Sequence, residues 1–274
     1  MQEAKIIAVC NQKGGVGKTA TTSCLGISLA EKGKRVLLID FDPQGNLTKG
    51  LGYRDRSKYR FSVKDLIFDE MNENPKDFSS YIVTAENVDI IPANIDLAGL
   101  DILLSSVISR ETIFKRALAQ FKPYYDFIII DSNPALNLFT INTLVAADSL
   151  IIPVQAEPYA TDGLSDLLHT IQTAKRQLNP GLSIDGILIT MTDQRTNLSK
   201  HISSELRNTF GDRIKVFRTE IPRCVKTAEA SLYGKSPMSY APNSESTQAY
   251  NLFAKEVLSN GEGIAKNQHI QPIR

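Results

Sequence analysis

The sequence predicts a single doubly wound α/β domain with a mostly parallel sheet, and three observations lead to this fold class. Strand-like apolar runs alternate with helical patterns along the whole chain. Most of these runs are continuously apolar, which is typical of parallel strands covered on both faces. The first run leads into a glycine-rich segment, residues 11–19, and a helical pattern follows it. The 274 residues, 42% of them hydrophobic, suffice for one such domain with a buried core.

The predicted elements alternate from the first strand to the last helix. The predicted strands are Ile6–Cys10, Arg35–Asp40, Val88–Ile91, Phe127–Asp131, Ser149–Val154, Ile184–Thr190 and a short strand near Val216. The predicted helices are Thr19–Glu31, Leu97–Ser105, Glu111–Phe121, Leu138–Ala147, Thr161–Gln177, Leu198–Phe210 and Thr247–Leu258. The segment Gly50–Ser80 is polar and irregular, so we expect a mobile insertion there. We predict one domain over residues 1–260 and a polar C-terminal tail over residues 261–274.

The segment 11–19, with the sequence NQKGGVGKT, indicates a phosphate-binding P-loop between the first strand and the first helix. At a helix N-terminus several backbone N–H groups point to one place and can bind an anion. Lys18 can place its charge on the β- and γ-phosphates, and Thr19 can offer its hydroxyl to Mg²⁺. The predicted nucleotide contacts in this segment are Lys13, Gly14, Gly15, Val16, Gly17, Lys18, Thr19 and Ala20. A glycine-rich turn without a ligand is the alternative interpretation.

Acidic residues end two of the predicted buried strands. Asp40 ends the second strand, and Asp131 ends the fourth in a Walker B pattern. Because ligands of open α/β sheets bind at the carboxyl ends of strands, both acids should emerge beside the P-loop. We predict that Thr19, Asp40 and Asp131 hold or orient the Mg²⁺ shell and that Asp42 positions the attacking water. For Asp40 and Asp42, a capped turn after the strand is the alternative interpretation.

Several strings together resemble the ParA/MinD family of ATPases. Residues 13–19, KGGVGKT, resemble the family's deviant Walker A motif, and residues 40–46, DFDPQGN, resemble its DxDPQGN segment. Residues 151–160 and 221–230 resemble two further family segments, and the resemblance extends from about residue 5 to about residue 258. It indicates the ParA/Soj branch of partition ATPases. Three residues depart from the family pattern: Asn133 stands for a usual Pro, Cys224 for an Asn and Lys226 for an Arg.

The resemblance implies a P-loop NTPase fold of the deviant Walker A type, with ATP and Mg²⁺ as cofactors and ATP hydrolysis as the reaction. It implies catalytic roles for Lys13, which reaches across a dimer interface to the partner's nucleotide, and for Asp42. It implies that Pro222, Arg223 and Cys224 border the adenine pocket. The implied partners are a second copy on ATP binding, nonspecific double-stranded DNA and a ParB-type centromere-binding protein that stimulates hydrolysis. Considered without the resemblance, Lys13 could be a solvated loop lysine.

The formal net charge of +1 is unevenly distributed along the chain. The window from Arg195 to Lys235 contains nine basic and four acidic residues, so it carries +5 and the rest of the chain carries −4. Such a basic window indicates an anionic partner on one face. By resemblance, Arg195 and Lys226 correspond to DNA-contacting positions of the Soj-like branch, and we predict that they bind DNA phosphates. Solvated helix faces are the alternative interpretation of the charge alone.

Other functions of related folds make different demands on the sequence. A MinD-like cell-division regulator would need a basic amphipathic C-terminal helix to bind membrane, but residues 260–274 contain two glycines and a proline. An iron–sulfur reductase would need cysteines that share a cluster, but Cys10, Cys24 and Cys224 form no CxxC pair. A small-molecule ligase that uses ATP remains open. Since no apolar run approaches a membrane span and no signal peptide precedes the first strand, we expect a cytoplasmic, nucleoid-associated protein without membrane binding.

Overall fold

In the computed structural model, which describes residues 3–105, 107–135 and 137–267, eight strands form one sheet with helices on both faces. The strands are β1 (Lys5–Val9), β2 (Val36–Phe41), β3 (Val83–Ala85), β4 (Val88–Ile91), β5 (Phe127–Ser132), β6 (Ser149–Gln155), β7 (Ser183–Thr192) and β8 (Ile221–Pro222). The α-helices are α1 (Lys18–Ala30), α2 (Asn46–Gly50), α3 (Val63–Met71), α4 (Leu100–Ser105), α5 (Ile113–Ala119), α6 (Leu138–Ala146), α7 (Ala160–Gln177), α8 (Asn197–Phe210), α9 (Val225–Leu232), α10 (Pro237–Tyr240) and α11 (Glu245–Asn267).

The sheet has the doubly wound topology that the sequence predicts. Its strand order is β3-β4-β2-β5-β1-β6-β7-β8, and every pairing except the β3–β4 hairpin is parallel. Val9 pairs with Asp131 across β1 and β5, and Asp40 pairs with Asp131 across β2 and β5. The carboxyl ends of these three strands therefore lie side by side. The residues that follow them share one edge of the sheet, where ligands of such folds bind.

Side chains of the central strands alternate between two buried faces. Ile7 and Val9 pack into a cluster with α1 and α11, whereas Ile6 and Ala8 pack into a second cluster with residues of α3, α5, α6 and α7. Helix α1 approaches β2 so closely that a Cβ on Gly26 would lie 2.5 Å from Leu38 Cδ2. Because helices cover both faces, the strands are continuously apolar in sequence.

The prediction of a mobile insertion at Gly50–Ser80 is wrong. Helix α3 lies within this segment, and Asp65 caps its first turn by accepting a hydrogen bond from the Ser62 N–H at 2.8 Å. Val63, Leu66 and Ile67 are fully buried in the core cluster. These three positions lie on one helical face, but charged and polar neighbours surround them in the sequence. The segment is therefore part of the domain's core.

The elements differ from the predicted ones at two further places. Near Val216 there is only an isolated bridge to Ile187, and the last strand of the sheet is β8. Helix α11 continues to Asn267 and so crosses the predicted boundary between residues 260 and 261; the rest of the predicted tail, residues 268–274, lies outside the described residues. None of the described helices is long and apolar enough to cross a membrane.

Candidate functional site

The P-loop lies between β1 and α1 at the carboxyl edge of the sheet. Gly15 and Gly17 have φ values of +78° and +89°, a region that strains any residue with a Cβ. Helix α1 begins at Lys18, so the N–H groups of its first turn lie beside the loop. No described atom lies within 4 Å of a Cβ built on Gly14 or Gly15, so the space in front of the loop is open. Gln12 takes the place of the first glycine in the general P-loop pattern.

The ammonium of Lys18 is held inside this loop. Only 8% of the residue is exposed, and its Nζ donates a hydrogen bond to the Lys13 carbonyl oxygen at 3.0 Å. Burial lowers the pKa of Lys18, and the carboxylates of Asp131 and Asp42 oppose that shift. The bond to Lys13 uses one of three N–H donors. Phosphate oxygens at the mouth of the loop would satisfy the other two.

Asp131 and Thr19 form a pair at the start of α1. The Thr19 hydroxyl donates to Asp131 Oδ2 at 2.7 Å, and Oδ1 of the same carboxylate is buried without a hydrogen-bond partner among the described residues. Burial, followed by the neighbouring charge of Asp40, raises the pKa of Asp131 well above its usual range. A buried carboxylate oxygen without a partner is costly unless a cation or a proton occupies the site.

This donor set fits Mg²⁺. Magnesium binds to one or two carboxylates and to phosphate oxygens and keeps several waters. Asp131 and Thr19 provide such oxygens directly beside the open P-loop. Within the described part of the chain, no group of three or more His, Cys, Asp and Glu side chains could hold a metal. Oxygens from Asp131 and Thr19 leave most of the octahedral Mg²⁺ shell to phosphate oxygens and waters, as in other sites where the ion binds with a phosphate chain.

Asp40 is fully buried and bonds to the loop that follows β2, not to Thr19. Its Oδ2 accepts from the Thr48 N–H at 2.8 Å and from the Thr48 hydroxyl at 2.7 Å, and its Oδ1 accepts from the Asp42 N–H at 3.3 Å. Thr48 Oγ1 in turn accepts from the Ala93 N–H at 2.9 Å. Burial raises the pKa of Asp40 to about 6. Asp40 thus fixes the segment that carries Asp42, and Asp42 itself accepts from the Gln44 N–H at 2.9 Å.

A cavity of about 1180 Å³ joins the P-loop to the segment after β8. It is lined by seven of the predicted site residues on the phosphate side, Gly14, Gly15, Gly17, Lys18, Thr19, Ala20 and Asp42, and by Pro222, Arg223 and Cys224 on the opposite side. The Arg223 N–H donates to the Thr192 carbonyl at 2.9 Å, which fixes this second side to β7. The two predicted groups of nucleotide contacts therefore face a common space.

Val16 and Lys13 do not line this cavity. Val16 is buried beneath the loop, where its carbonyl oxygen accepts from Thr190 Oγ1 at 2.9 Å. The ammonium of Lys13 forms an ion pair with Glu157, in the loop after β6. Lys13 thus contacts Lys18 through its carbonyl oxygen, while its ammonium pairs with a residue that does not line the cavity.

Just beyond the ends of α2 and α9, two glycines bring their backbones into close contact. Gly52 and Gly234 have φ values of +95° and +63°, and a Cβ on Gly234 would lie 3.0 Å from Gly52 Cα. The Arg54 guanidinium also donates to the Ser231 carbonyl. These contacts connect the segment after Asp42 to the helix after Cys224.

Cys224 is half-buried at the start of α9. Burial raises the pKa of its thiol, but hydrogen bonds from Ser246 and from the N–H groups of Lys226 and Thr227 outweigh burial and lower the pKa overall. Cys10 and Cys24 are buried free thiols, and Cys224 is a free thiol as well. No disulfide or shared cluster forms among the three.

Sequence reasoning missed several residues that line the cavity. Met191, which has a φ of +53°, follows Thr190 on the wall beside Gly17. Tyr250 of α11 lines the cavity, and its hydroxyl oxygen lies 3.2 Å from the hydroxyl oxygen of Thr21. Asn133, noted only as a departure from the family pattern, also lines it. The sequence pattern places Tyr250 only within the predicted helix Thr247–Leu258 and indicates no role for it.

The predicted DNA contacts, Arg195 and Lys226, are both exposed. Arg195 follows β7 and Lys226 follows β8, and these strands are neighbours, so both residues leave the same edge of the sheet as the cavity. No ion pair involves either side chain within the described residues. Another basic residue of the window, Arg207, forms an ion pair with Glu220 at 2.8 Å.

Comparison with known proteins identifies relatives over nearly the whole chain. A family model described as an AAA domain matches residues 4–184. The sporulation initiation inhibitor protein Soj of Bacillus subtilis is 49% identical over 259 residues, which cover 94% of this chain and 99% of that protein. The chromosome partitioning protein ParA of Caulobacter vibrioides is 40% identical over 93% of this chain and 94% of its own length.

A solved structure is similar over nearly the same range. Cobyrinic acid a,c-diamide synthase from Mycobacterium smegmatis, with a bound ATP analogue and magnesium, has a TM-score of 0.79 and 35% identity over 94% of this chain and 96% of that one. Both curated relatives exceed 30% identity over almost the whole chain. The chain therefore belongs to the ParA/Soj family of partition ATPases, within the ParA/MinD superfamily.

Proposed function

We propose that the protein uses ATP and Mg²⁺ to partition DNA as a nucleotide-dependent homodimer. In this proposal the ATP-bound dimer binds double-stranded DNA without sequence preference, and hydrolysis, stimulated by a ParB-type partner, releases it. The observation that carries the proposal is the different placement of the two loop lysines. Lys18 lines the cavity, whereas Lys13 lies outside it. The Lys13 ammonium, which pairs with Glu157 outside its own cavity, can reach the nucleotide of a second copy once that pair opens.

Different residues of the site would bind the phosphates, the adenine and the Mg²⁺ ion of ATP. Backbone N–H groups of residues 14–19 and the Lys18 ammonium would hold the phosphates, and the segment 222–224 would border the adenine. Thr19 and Asp131 would hold Mg²⁺, which neutralises charge on the β- and γ-phosphates when it is bound. Asp40 would act indirectly, because its hydrogen bonds fix Thr48 and the backbone of Asp42.

Asp42 is the group we assign to the attacking water. Its carboxylate lines the cavity, and the Gln44 N–H orients it, so that an oxygen can accept a proton from water. Asp42→Ala should therefore reduce phosphate release by at least about 100-fold while ATP binding and dimerisation persist. Phosphate release and equilibrium nucleotide titration measure the two effects.

Asp77→Ala is the matched control for this change. Asp77 accepts from the N–H two residues ahead at 2.9 Å, as Asp42 does, but it does not line the cavity. Its loss should leave turnover unchanged. Hydrolysis at the normal rate in Asp42→Ala would overturn the assignment of Asp42.

The proposed function as a whole is tested by DNA binding in different nucleotide states. Fluorescence anisotropy of a labelled duplex of arbitrary sequence should show tight, salt-sensitive binding with ATP and Mg²⁺ and little with ADP. Lys13→Ala should retain nucleotide binding but lose ATP-dependent dimerisation and DNA binding. Equal affinity with ATP and ADP, or no binding in either state, would contradict the proposal. Nucleoid association in the cell rests on the same binding.

A second candidate function is the ATP-dependent synthesis of a small-molecule amide. The 35% identity to the cobyrinic acid a,c-diamide synthase structure favours it. Such an enzyme would hydrolyse ATP in response to a carboxylic acid and an amine donor, and DNA would not change its rate. ATPase assays with cobyrinic acid plus an ammonium salt as the amine donor, or with duplex DNA, as alternative additions distinguish the two functions.

A further inference from the structure

The ion pair between Lys13 and Glu157 joins two segments that are already fixed to each other. The Lys13 N–H donates to Asn11 Oδ1 at 2.9 Å, and Asn11 Nδ2 donates to the Pro153 carbonyl of β6 at 2.8 Å. Asn11 thus ties the start of the P-loop to the strand that leads to Glu157. The backbone of the P-loop is therefore fixed to β6, the strand from whose end the Glu157 side chain reaches Lys13.

The backbone around Glu157 is fixed as well. The Ala156 N–H donates to the Thr190 carbonyl at 3.1 Å, and the Glu157 carbonyl accepts from the Ala160 N–H at 3.3 Å at the start of α7. Two residues further along the loop, Tyr159 has a φ of +64° and projects into solvent with 82% exposure. Glu157 thus lies at the base of a protruding, well-defined loop.

The two side chains of the pair are more exposed to solvent than the charged side chains at the phosphate end. Lys13 is 53% exposed and Glu157 is 29% exposed, so the pair lies at the surface beside the cavity mouth. The carboxylates of Asp42 and Asp131 act on Lys18 instead. A surface pair of this kind is weak enough to open when a stronger anion, such as a nucleotide phosphate, replaces the carboxylate.

We propose that Glu157 is a positioning residue that holds Lys13 against its own protomer, and that the pair opens when a second, ATP-loaded copy docks. This inference rests on the proposed function, because it takes the phosphates of a second copy as the alternative partner of Lys13. Each dimer would break two such pairs. Glu157 therefore opposes dimerisation and sets the concentration of ATP-loaded protein at which dimers form.

The test measures the monomer–dimer dissociation constant by sedimentation with a non-hydrolysable ATP analogue and Mg²⁺. Glu157→Gln should lower this constant by about two- to thirty-fold, the range expected from releasing two surface ion pairs. The difference between the wild type and Glu157→Gln should shrink as salt is added, because salt screens the pair. In a Lys13→Gln background, Glu157→Gln should not restore dimerisation, because the carboxylate then has no ammonium to hold.

Glu70→Gln is the matched control. Glu70 pairs with Arg116 at 2.8 Å, and the exposures of these side chains, 23% and 48%, are close to those of Glu157 and Lys13. This control should dimerise as the wild type does. An unchanged or larger dissociation constant in Glu157→Gln would overturn the role of Glu157 while leaving the proposed function intact. A wild type that does not dimerise with the analogue would overturn both.

Discussion

The phosphate end of the cavity and the basic window hold their charges in opposite ways. At the phosphate end, Lys18, Asp40 and Asp131 are buried, and neighbouring groups fix each of them. In the basic window, Arg195 and Lys226 project from loop and helix ends into solvent. Fixed, desolvated charges recognise one ligand geometry, whereas exposed cations bind any polyanion that brings phosphates to the right face. The comparison predicts strong, specific effects at the first region and graded, salt-dependent effects at the second.

The largest effect is expected at the phosphate end. Lys18→Ala removes the buried ammonium and should weaken ATP binding by at least about 100-fold, because charge-assisted contacts to phosphate are lost in a desolvated site. Isothermal titration calorimetry measures the affinity. Lys34→Ala, at an exposed lysine beyond the other end of α1, should bind ATP normally. Undiminished affinity in Lys18→Ala would remove the basis for the P-loop assignment.

A smaller, graded effect is expected in the basic window. The double change Arg195→Glu and Lys226→Glu should weaken binding to all duplex sequences alike, by about ten-fold or more at moderate salt, and reduce the salt slope by roughly one unit per lost contact. ATP binding and dimerisation should survive. Lys175→Glu with Arg176→Glu, in the last turn of α7, is the control. If affinity and slope are equal to the wild type, the DNA site lies elsewhere, with Lys200, Arg207, Arg218 and Arg223 as the next candidates.

The smallest effect concerns stability. Because burial raises the pKa values of Asp131 and Asp40, the ionised pair destabilises the apoprotein, and stability falls as pH rises through the raised pKa values, from the usual value of 3.8 to about 6 for Asp40. In metal-free buffer at pH 7.5, Asp131→Asn should therefore raise the melting temperature by about 2–6 °C. It should also abolish the further increase that Mg²⁺ and ATP produce.

Asp166→Asn, an exposed position on α7, is the control for this measurement and should not change the melting temperature. A lower melting temperature for Asp131→Asn than for the wild type would show that the Thr19 contact outweighs the buried charge. That result would contradict the predicted sign.

The sequence predicts the parts of the fold and site whose signals are local. The pattern of residues 11–19 predicts a loop and the start of a helix within nine positions, and Asp131 ends a run of apolar residues. The family resemblance adds the segment 222–224, which lines the same cavity as the P-loop. In these cases backbone geometry alone brings the residues to one edge of the sheet.

The contacts that sequence reasoning missed leave no periodic or motif signal in the sequence, whether they are short-range or long-range. Asp40 bonds to Thr48 of α2, a helix of five residues for which no periodic pattern is long enough. Tyr250 meets Thr21 across 229 residues, and Glu157 meets Lys13 across more than half the chain. Such pairs depend on how helices pack, which neither spacing nor propensity records. Helix α3 was missed because its narrow apolar face is surrounded by charge.

The contact between Gly52 and Gly234 has a consequence for how sequence variation in this domain is interpreted. Any side chain at either position would separate two peptide backbones that touch, and both backbones adopt conformations that disfavour other residues. A saturation library scored for activity would therefore show reduced tolerance at positions 52 and 234, although neither residue lines the cavity. That loss of tolerance would reflect how closely two backbone segments beside the cavity must pack. It would not show that either residue takes part in the reaction.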